Sequence, residues 1–308
     1  MLAVILAVFI STCFSLFSVL AEEPQTADPF TFTAEEIVDT GYIAYDAGDF
    51  TTAKVLFDLA AERGYPKALN ALGNLYSEDD YSEKDDQKAM TYYLQAAEQG
   101  YVSAMINAGQ LYMYRGDGIE RDYKKAMAFF RMAADLDNAD GLYYIGRMYE
   151  RGYGVEQSYE KAVEYFQLAM DKGKENVAGK IADMYFFETY GIQSYEKAAE
   201  YYLLASQMGD GRCSNNLGDM YENGDYVEQS YEKAMEYYQL AVDQGCDFAL
   251  FCIGTLYEKG LGVEQSLEKA VEYYREAASR GEQDGQDQLN RLAEEGKITE
   301  DYQVISNE

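Results

Sequence analysis

Apolar residues recur through most of the chain at the spacing of an amphipathic α-helix. In one such segment, Ala162, Tyr165, Phe166 and Ala169 occupy positions i, i+3, i+4 and i+7 and therefore share one helical face. Gly173 follows this stripe, and glycine at such a point is typical of the left-handed residue that ends a helix. The pattern predicts a helix with a buried apolar face that ends at Gly173.

A second predicted helix, of about ten residues, precedes this one and carries a glycine in its interior. Glycine inside a helix costs roughly 1 kcal/mol relative to alanine. Its recurrence at one register therefore predicts that another backbone approaches closely there. We refer to this register as the glycine position. It is occupied by Gly73, Gly109, Gly146, Ala182, Gly218 and Gly254.

The two-helix pattern repeats along the chain. The stretch from Gly152 to Gly173 recurs with few changes from Gly224 to Gly245 and from Gly260 to Gly281. A Lys-Ala pair marks the same point in each unit, at intervals of 37, 36, 36, 36 and 36 residues. The lysines of these pairs are Lys88, Lys125, Lys161, Lys197, Lys233 and Lys269. Self-similarity at such a period is typical of stacked-repeat proteins. The sequence predicts an all-α fold, a solenoid of antiparallel helix pairs.

Three motifs that recur among the units resemble the Sel1-like repeat, an extended-loop relative of the tetratricopeptide repeat. They are Leu-Gly-x-x-Tyr, Gly-x-Gly-Val and Lys-Ala-x-x-Tyr-Tyr-x-x-Ala-Ala-x-x-Gly, and they extend from Pro66 to Gly281. The resemblance implies a right-handed α/α superhelix whose first helices line a concave surface. Two units depart from the pattern, Pro66–Gly100 in its loop and Lys174–Gly209 in its loop and at Ala182.

The domain organisation follows from these patterns. Residues 2–20 are uncharged and apolar, so we expect residues 1–21 to be a signal peptide cleaved after Ala21, or alternatively an uncleaved N-terminal anchor. Residues 22–33 are predicted to be a linker. Residues 34–295 are predicted to form about seven helix-pair repeats with a C-terminal capping helix, followed by a polar tail at residues 296–308. The expected location is secreted or in the cell envelope.

Composition narrows the expected partners. The chain has 25 basic and 55 acidic residues, a net charge of −30, and no histidine. This charge repels nucleic acid and anionic lipid, so we expect a neutral to basic protein or peptide partner and no direct membrane binding after cleavage. Without histidine, Ser-His and Cys-His pairs are excluded, and no metal or cofactor is expected. Cys213, Cys246 and Cys252 are expected to be small buried thiols.

A recurring Ser-x-x-Lys tetrad raises an enzymatic alternative, because penicillin-binding proteins and β-lactamases use such a serine as nucleophile. Other units place aspartate at the same register. Either residue type caps the start of a helix, whereas aspartate does not replace a serine nucleophile, so we predict N-caps rather than catalysis. The serines are Ser158, Ser194, Ser230 and Ser266, and the aspartates are Asp49, Asp85 and Asp122.

The predicted function is that of a non-enzymatic, exported scaffold or adaptor that binds a protein through the concave surface. The alternatives are the β-lactam activity above, a membrane-tethered lumenal quality-control adaptor, and a solvated groove without a specific ligand. If the first helices line the groove, residues three before and one after the glycine position point inward. The predicted binding residues are Asn70, Asn74, Ile106, Gln110, Tyr143, Arg147, Asp183, Asn215, Asp219, Phe251 and Thr255.

Overall fold

Helices account for nearly all of the regular structure in the described part of the chain. The computed structural model describes residues 32–114, 116–299 and 301–305, so the predicted signal peptide and most of the predicted linker lie outside it. The described helices are α1 (Ala34–Asp46), α2 (Phe50–Glu62), α3 (Pro66–Ser77), α4 (Asp86–Glu98), α5 (Val102–Tyr114), α6 (Tyr123–Ala134), α7 (Ala139–Arg151), α8 (Tyr159–Asp171), α9 (Ala178–Phe186), α10 (Tyr195–Gln207), α11 (Gly211–Asn223), α12 (Tyr231–Asp243), α13 (Phe248–Lys259), α14 (Leu267–Ser279) and α15 (Gln283–Glu294).

The helices pack in chain order. Each odd-numbered helix packs against the even-numbered helix that follows it, and that helix packs against the first helix of the next pair. Contacts between neighbours in sequence, repeated along the chain, are the organisation of a solenoid. The all-α fold and its helix pairs are thus confirmed. None of the helices in the described ranges is long and apolar enough to span a bilayer.

The second helix of each pair begins at a side-chain cap. The hydroxyl of Ser158 accepts a hydrogen bond from the backbone N–H of Lys161, and Asp122 accepts bonds from the N–H groups of Lys124 and Lys125. The predicted role of this register is confirmed, because serine and aspartate alike satisfy donors that a helix leaves unpaired at its N-terminus. The same cap is made by Asp49, Asp85, Ser194, Ser230 and Ser266.

An aromatic ring of the second helix fills the space at the glycine position. A Cβ atom built at Gly218 would lie 2.4 Å from the ring of Tyr238, which is fully buried. The expected close backbone is found at Gly146 and Gly254, where an added Cβ would lie 3.2 Å and 3.3 Å from a carbonyl oxygen of the second helix, but the nearest neighbour is the aromatic ring. The ring would clash with any larger residue unless the helices moved apart. The equivalent contacts are Gly73 with Tyr93, Gly109 with Phe130, Gly146 with Phe166 and Gly254 with Tyr274.

The C-terminal segment predicted as a polar tail contains an apolar anchor. Ile298 is 2% exposed and packs with Leu289 and Leu292 of α15. A turn holds it there, with the N–H of Thr299 donating to the carbonyl of Gln303 at 2.8 Å. In the described ranges, β-structure is limited to one antiparallel bridge in this turn, between Ile298 and Val304. The segment covers the apolar end of the stack.

Candidate partner-binding face

The odd-numbered helices present a row of mostly polar and aromatic side chains, which we call the ladder face. It consists of the residues two and three before the glycine position and one and four after it, in the six units from α3 to α13. Residues three or four apart lie on one side of a helix, so these registers form a continuous strip. All of the predicted binding residues belong to this strip.

The residue one after the glycine position binds the buried tyrosine of its own repeat. The hydroxyl of Tyr202 donates to Asp183 Oδ1 at 2.7 Å, and Tyr238 donates to Asp219 Oδ1 at the same distance. Burial without water leaves a tyrosine hydroxyl in need of a partner, which these side chains supply. In the same way, the hydroxyl of Tyr93 donates to Asn74 Oδ1 at 3.0 Å. The Oγ1 atom of Thr255 lies 3.3 Å from the hydroxyl of Tyr274.

Two repeats have phenylalanine beneath this register, and the residue above it is different. Gln110 and Arg147 lie over Phe130 and Phe166, which have no hydroxyl to bind. Gln110 instead donates to the hydroxyl of Tyr144. The Nε atom of Arg147 is buried without a hydrogen-bond partner. The choice of residue on the ladder face thus follows the aromatic residue below it.

The residues three before the glycine position are more enclosed than the sequence predicted. Asn70 is 4% exposed, Ile106 8% and Asn215 4%, so these three pack within the structure and offer little open contact surface. Tyr143 and Phe251 are half-buried in aromatic clusters, Tyr143 beside Tyr144 and Phe251 beside Phe248. A role for these residues in binding stays a prediction.

Sequence reasoning missed the residues that join one odd-numbered helix to the next. The amide of Asn107 donates to Asn70 and Asn74 at 3.0 Å each, and Lys180 Nζ lies 2.7 Å from Glu150 Oε1. Asn107, Tyr144 and Lys180 all lie two residues before the glycine position. The signal was available, since polar or hydroxyl-bearing residues recur at this register inside an otherwise apolar helix.

Most of the carboxylates on the ladder face form ion pairs. Arg212 binds Asp183 through two contacts of 3.0 Å, and Arg291 lies 2.7 Å from Glu258 Oε2. Asp219 and Glu222 have no ion-pair partner among the described residues. Burial raises the pKa of the Asp219 carboxyl to about 6, and the nearby carboxylates of Glu222 and Asp225 contribute in the same direction.

The Ser-x-x-Lys tetrads do not bring the lysine amine to the serine hydroxyl. The hydroxyl of Ser158 donates instead to the exposed carboxylate of Glu160 at 3.0 Å. The Oγ atom of Ser158 is engaged with the backbone N–H of Lys161, 3.2 Å away. The amine of Lys161 lies over the ring of Tyr149, 5.2 Å from its centroid. This arrangement is a cation–π contact on the outer side of a stacked tyrosine pair. The lysine of every Lys-Ala pair is placed in this way, over Tyr76, Tyr112, Tyr149, Tyr185, Tyr221 and Tyr257.

Comparison with known proteins agrees with the repeats seen in the fold. A family model described as the Sel1 repeat matches residues 66–101, 102–138, 139–174, 177–210, 212–246 and 248–282, well over half of the chain. The chain belongs to the Sel1-repeat family. We number these six Sel1 repeats one to six. The α1–α2 pair precedes them and α15 follows them.

Solved structures of the same fold support this assignment. A protective antigen of uropathogenic Escherichia coli strains, described as displaying an SLR fold, superposes with a TM-score of 0.71 at 30% identity, covering 85% of this chain and 57% of that one. A Sel1 repeat protein from Oxalobacter formigenes superposes with a TM-score of 0.62 at 28% identity, covering 79% and 99%. Both likenesses extend over most of the present chain.

The similarity to curated proteins is more local. Human protein sel-1 homolog 2 is 31% identical over 116 residues, which is 36% of this chain and 17% of that protein. The ERAD-associated E3 ubiquitin-protein ligase component HRD3A of Arabidopsis thaliana is 31% identical over 121 residues, 35% of this chain and 17% of its own length. The chain thus spans less than a fifth of these curated relatives.

Proposed function

We propose that this Sel1-repeat protein is a non-enzymatic scaffold that binds a protein or peptide along the ladder face. The observation that carries the proposal is the make-up of that strip. Successive repeats present half-buried polar and aromatic groups, and the side chains of Arg147 and Asp219 have no ion-pair partner among the described residues. Extended surfaces of this kind are what solenoids use for binding.

The charge of the chain favours a neutral to basic partner. A net charge of −30 attracts cationic surfaces and speeds their association at low ionic strength. The same charge opposes contact with nucleic acid and with anionic lipid. Binding is therefore expected to weaken as salt is added, because the exposed carboxylates are screened.

A scaffold role is also supported by the state of the tetrad serines. Each serine hydroxyl caps a helix, and each tetrad lysine lies on a tyrosine ring. A nucleophilic serine needs an adjacent base, and the tetrad lysine does not occupy that place. Ser158 donates instead to Glu160, an exposed carboxylate, at 3.0 Å. A fluorescent penicillin is accordingly expected to leave the protein unlabelled. Acylation of Ser158 or of its equivalents would revive the enzymatic alternative.

A second form of the same proposal is a scaffold that acts as a quality-control adaptor, as the description of HRD3A as a ubiquitin-ligase component suggests, and that is held at a membrane by its own N-terminal segment. The apolar residues 2–20 would provide the tether if they are not removed. Mass spectrometry of the mature protein distinguishes the two forms. Glu22 as the first residue indicates cleavage and export, whereas a retained N-terminal segment indicates an anchored adaptor.

Site-specific photo-crosslinking tests the binding face. A photoreactive phenylalanine analogue is placed at Tyr143 or Phe251 on the ladder face, and as a control at Leu168, which is 47% exposed on α8. We expect a saturable crosslink from the two ladder-face positions and a much weaker one from Leu168. An excess of the same protein without the photoreactive residue should lower the yield of the crosslink. Equal yields from all three positions would contradict the proposal.

A further inference from the structure

Repeat five departs from the other charged repeats of the ladder face. Repeats three, four and six each pair one carboxylate with one cation supplied by the next odd-numbered helix. The pairs are Glu150 with Lys180, Asp183 with Arg212 and Glu258 with Arg291. Repeat five presents two carboxylates, Asp219 and Glu222, and neither is paired within the described part of the chain.

The repeat register identifies where the missing cation would have come from. Arg212 follows its carboxylate by 29 residues, Lys180 by 30 and Arg291 by 33. The same offsets, applied to Asp219 and Glu222, lead to Phe248, Cys252 and Thr255. None of these residues carries a positive charge, so each of the three registers that supply a cation elsewhere is neutral at this step.

The step from α11 to α13 is also unbridged. Side-chain hydrogen bonds or ion pairs join α1 to α3, α3 to α5, α5 to α7, α7 to α9, α9 to α11 and α13 to α15. No such bond joins α11 to α13, two helices that the structure describes in full. The ladder face is therefore interrupted where the two unpaired carboxylates lie.

The cluster around Asp219 has more acceptors than donors. The hydroxyl of Tyr238 lies 2.7 Å from Asp219 Oδ1 and 2.7 Å from Glu222 Oε2, although it has only one hydrogen to donate. The amide nitrogen of Asn215 donates to Asp219 Oδ2 at 3.2 Å. The Oδ1 atom of the same amide is buried without a partner. A buried acceptor beside two carboxylates makes this a site that requires a donor.

Two aromatic residues of the next odd-numbered helix, α13, favour a guanidinium or ammonium group over a metal ion. Phe248 occupies the register of Arg212, and its ring lies 5.3 Å from that of Phe251. Aromatic faces attract organic cations, and guanidinium groups pack flat against them. Among the described residues, no cluster of His, Cys, Asp and Glu has the arrangement of a metal site.

We propose that Asp219 and Glu222 bind an arginine or lysine side chain supplied by the partner protein. The partner's cation takes the place that Arg212 and Arg291 occupy in the flanking repeats. The inference rests on the proposed function, since it names the chemistry that the ladder face recognises. It also places the principal contact of that face in repeat five.

Short peptides test this pocket without knowledge of the partner. The full chain is titrated with Ac-Ala-Ala-Arg-Ala-Ala-NH2 and with its lysine and citrulline counterparts, followed by calorimetry and by amide NMR shifts. We expect saturable binding of a cationic peptide, and at least about tenfold weaker binding of citrulline, which is neutral and similar in shape to arginine. The arginine and lysine titrations decide which cation fits better.

Two sets of variants locate the binding. Asp219→Asn combined with Glu222→Gln should weaken it at least about tenfold, because both charges are lost. The exposed pair Glu228→Gln and Glu236→Gln changes the net charge equally and should leave binding unchanged. Thr255→Arg, which copies the register of Arg291, should fill the pocket from within and abolish binding with both carboxylates intact. Thr255→Gln is its neutral control and should retain binding.

The result that overturns the proposal is specific to it. Equal binding of the cationic and citrulline peptides, or binding that survives both the double neutralisation and Thr255→Arg, would exclude a cation pocket in repeat five. The crosslinking at Tyr143 and Phe251 does not depend on these peptides. A persistent ladder-face crosslink with no peptide binding would therefore refute the pocket and leave the scaffold proposal standing.

Discussion

Repeats four and five share an aspartate that binds a buried tyrosine, and they differ in the other partner of that aspartate. In both, an aspartate one residue after the glycine position accepts the hydroxyl of a buried tyrosine at 2.7 Å. Asp183 in repeat four also binds Arg212, whereas the other hydrogen-bond donor to Asp219 in repeat five is the neutral amide of Asn215. One residue of the following helix makes the difference, since Phe248 stands at the register of Arg212.

The comparison shows how a repeat protein separates stability from recognition. Packing of the tyrosine against the first helix is common to both repeats and is internal to each. The cation that pairs with the aspartate of repeat four comes from the next repeat, so this ion pair depends on a nearest-neighbour contact. A change in one helix can therefore open a site in the preceding repeat without disturbing the core of either.

The largest expected effect concerns the packing beneath the aspartates. Repeat four has Ala182 at the glycine position and repeat five has Gly218, whose added Cβ would lie 2.4 Å from Tyr238. Gly218→Ala should lower the free energy of unfolding by about 1–3 kcal/mol because the ring must shift. Ala182→Gly should lower it by about 1 kcal/mol through helix propensity alone. Urea denaturation followed by circular dichroism measures both. An unchanged Gly218→Ala variant would contradict this account of the contact.

A smaller effect, of opposite sign in the two repeats, is expected from neutralising the aspartates. The folded-state pKa of Asp219, about 6, lies above the unfolded value of about 4, so its proton favours the folded state below pH 4 and this gain is lost as pH rises through 6. Asp219→Asn should therefore stabilise the protein at pH 7 by on the order of 1 kcal/mol, and this advantage should vanish towards pH 4.

Asp183→Asn is the matched control for this prediction. It removes the contact with Arg212, a half-exposed ion pair, and should destabilise the protein at pH 7 by about 0–1 kcal/mol. The measurement is the difference in unfolding free energy between each variant and the natural chain at several pH values. The comparison of the two repeats fails if the two variants shift stability in the same direction at pH 7.

An effect of similar small size should be the same in both repeats. Lys197 and Lys233 each lie 4.9 Å from the centroid of a tyrosine ring, Tyr185 and Tyr221 respectively. Replacing either lysine by methionine keeps an unbranched apolar stem, one atom shorter, and should cost about 0.5–1 kcal/mol by loss of the cation–π contact. Thermal unfolding measures the change. A clear difference between the two variants would show that the outer side of the repeats is less uniform than the structure indicates.

Much of the fold could be predicted from particular residues. The spacing of Ala162, Phe166 and Ala169 indicated a buried helix face, and the exchange of serine for aspartate at Ser158 and Asp122 indicated N-caps. Both depend on local geometry, which a single sequence states directly. The neighbour of the glycine position was predicted only in part. A second backbone comes close at Gly146 and Gly254, but the nearest neighbour is a ring, which sequence spacing does not show.

The sequence by itself determined the repeat, the helix pairs and the family, because periodicity and capping act within about 36 residues of chain. Only the tertiary structure decided where each ladder-face residue finds its hydrogen-bond or ion-pair partner. Some partners lie in the same repeat, some lie in the next repeat, and some residues have a partner in neither. Asp183 and Asp219 are identical in local sequence role. Their chemistry differs because stacking brings an arginine to one and phenylalanine to the register of the other.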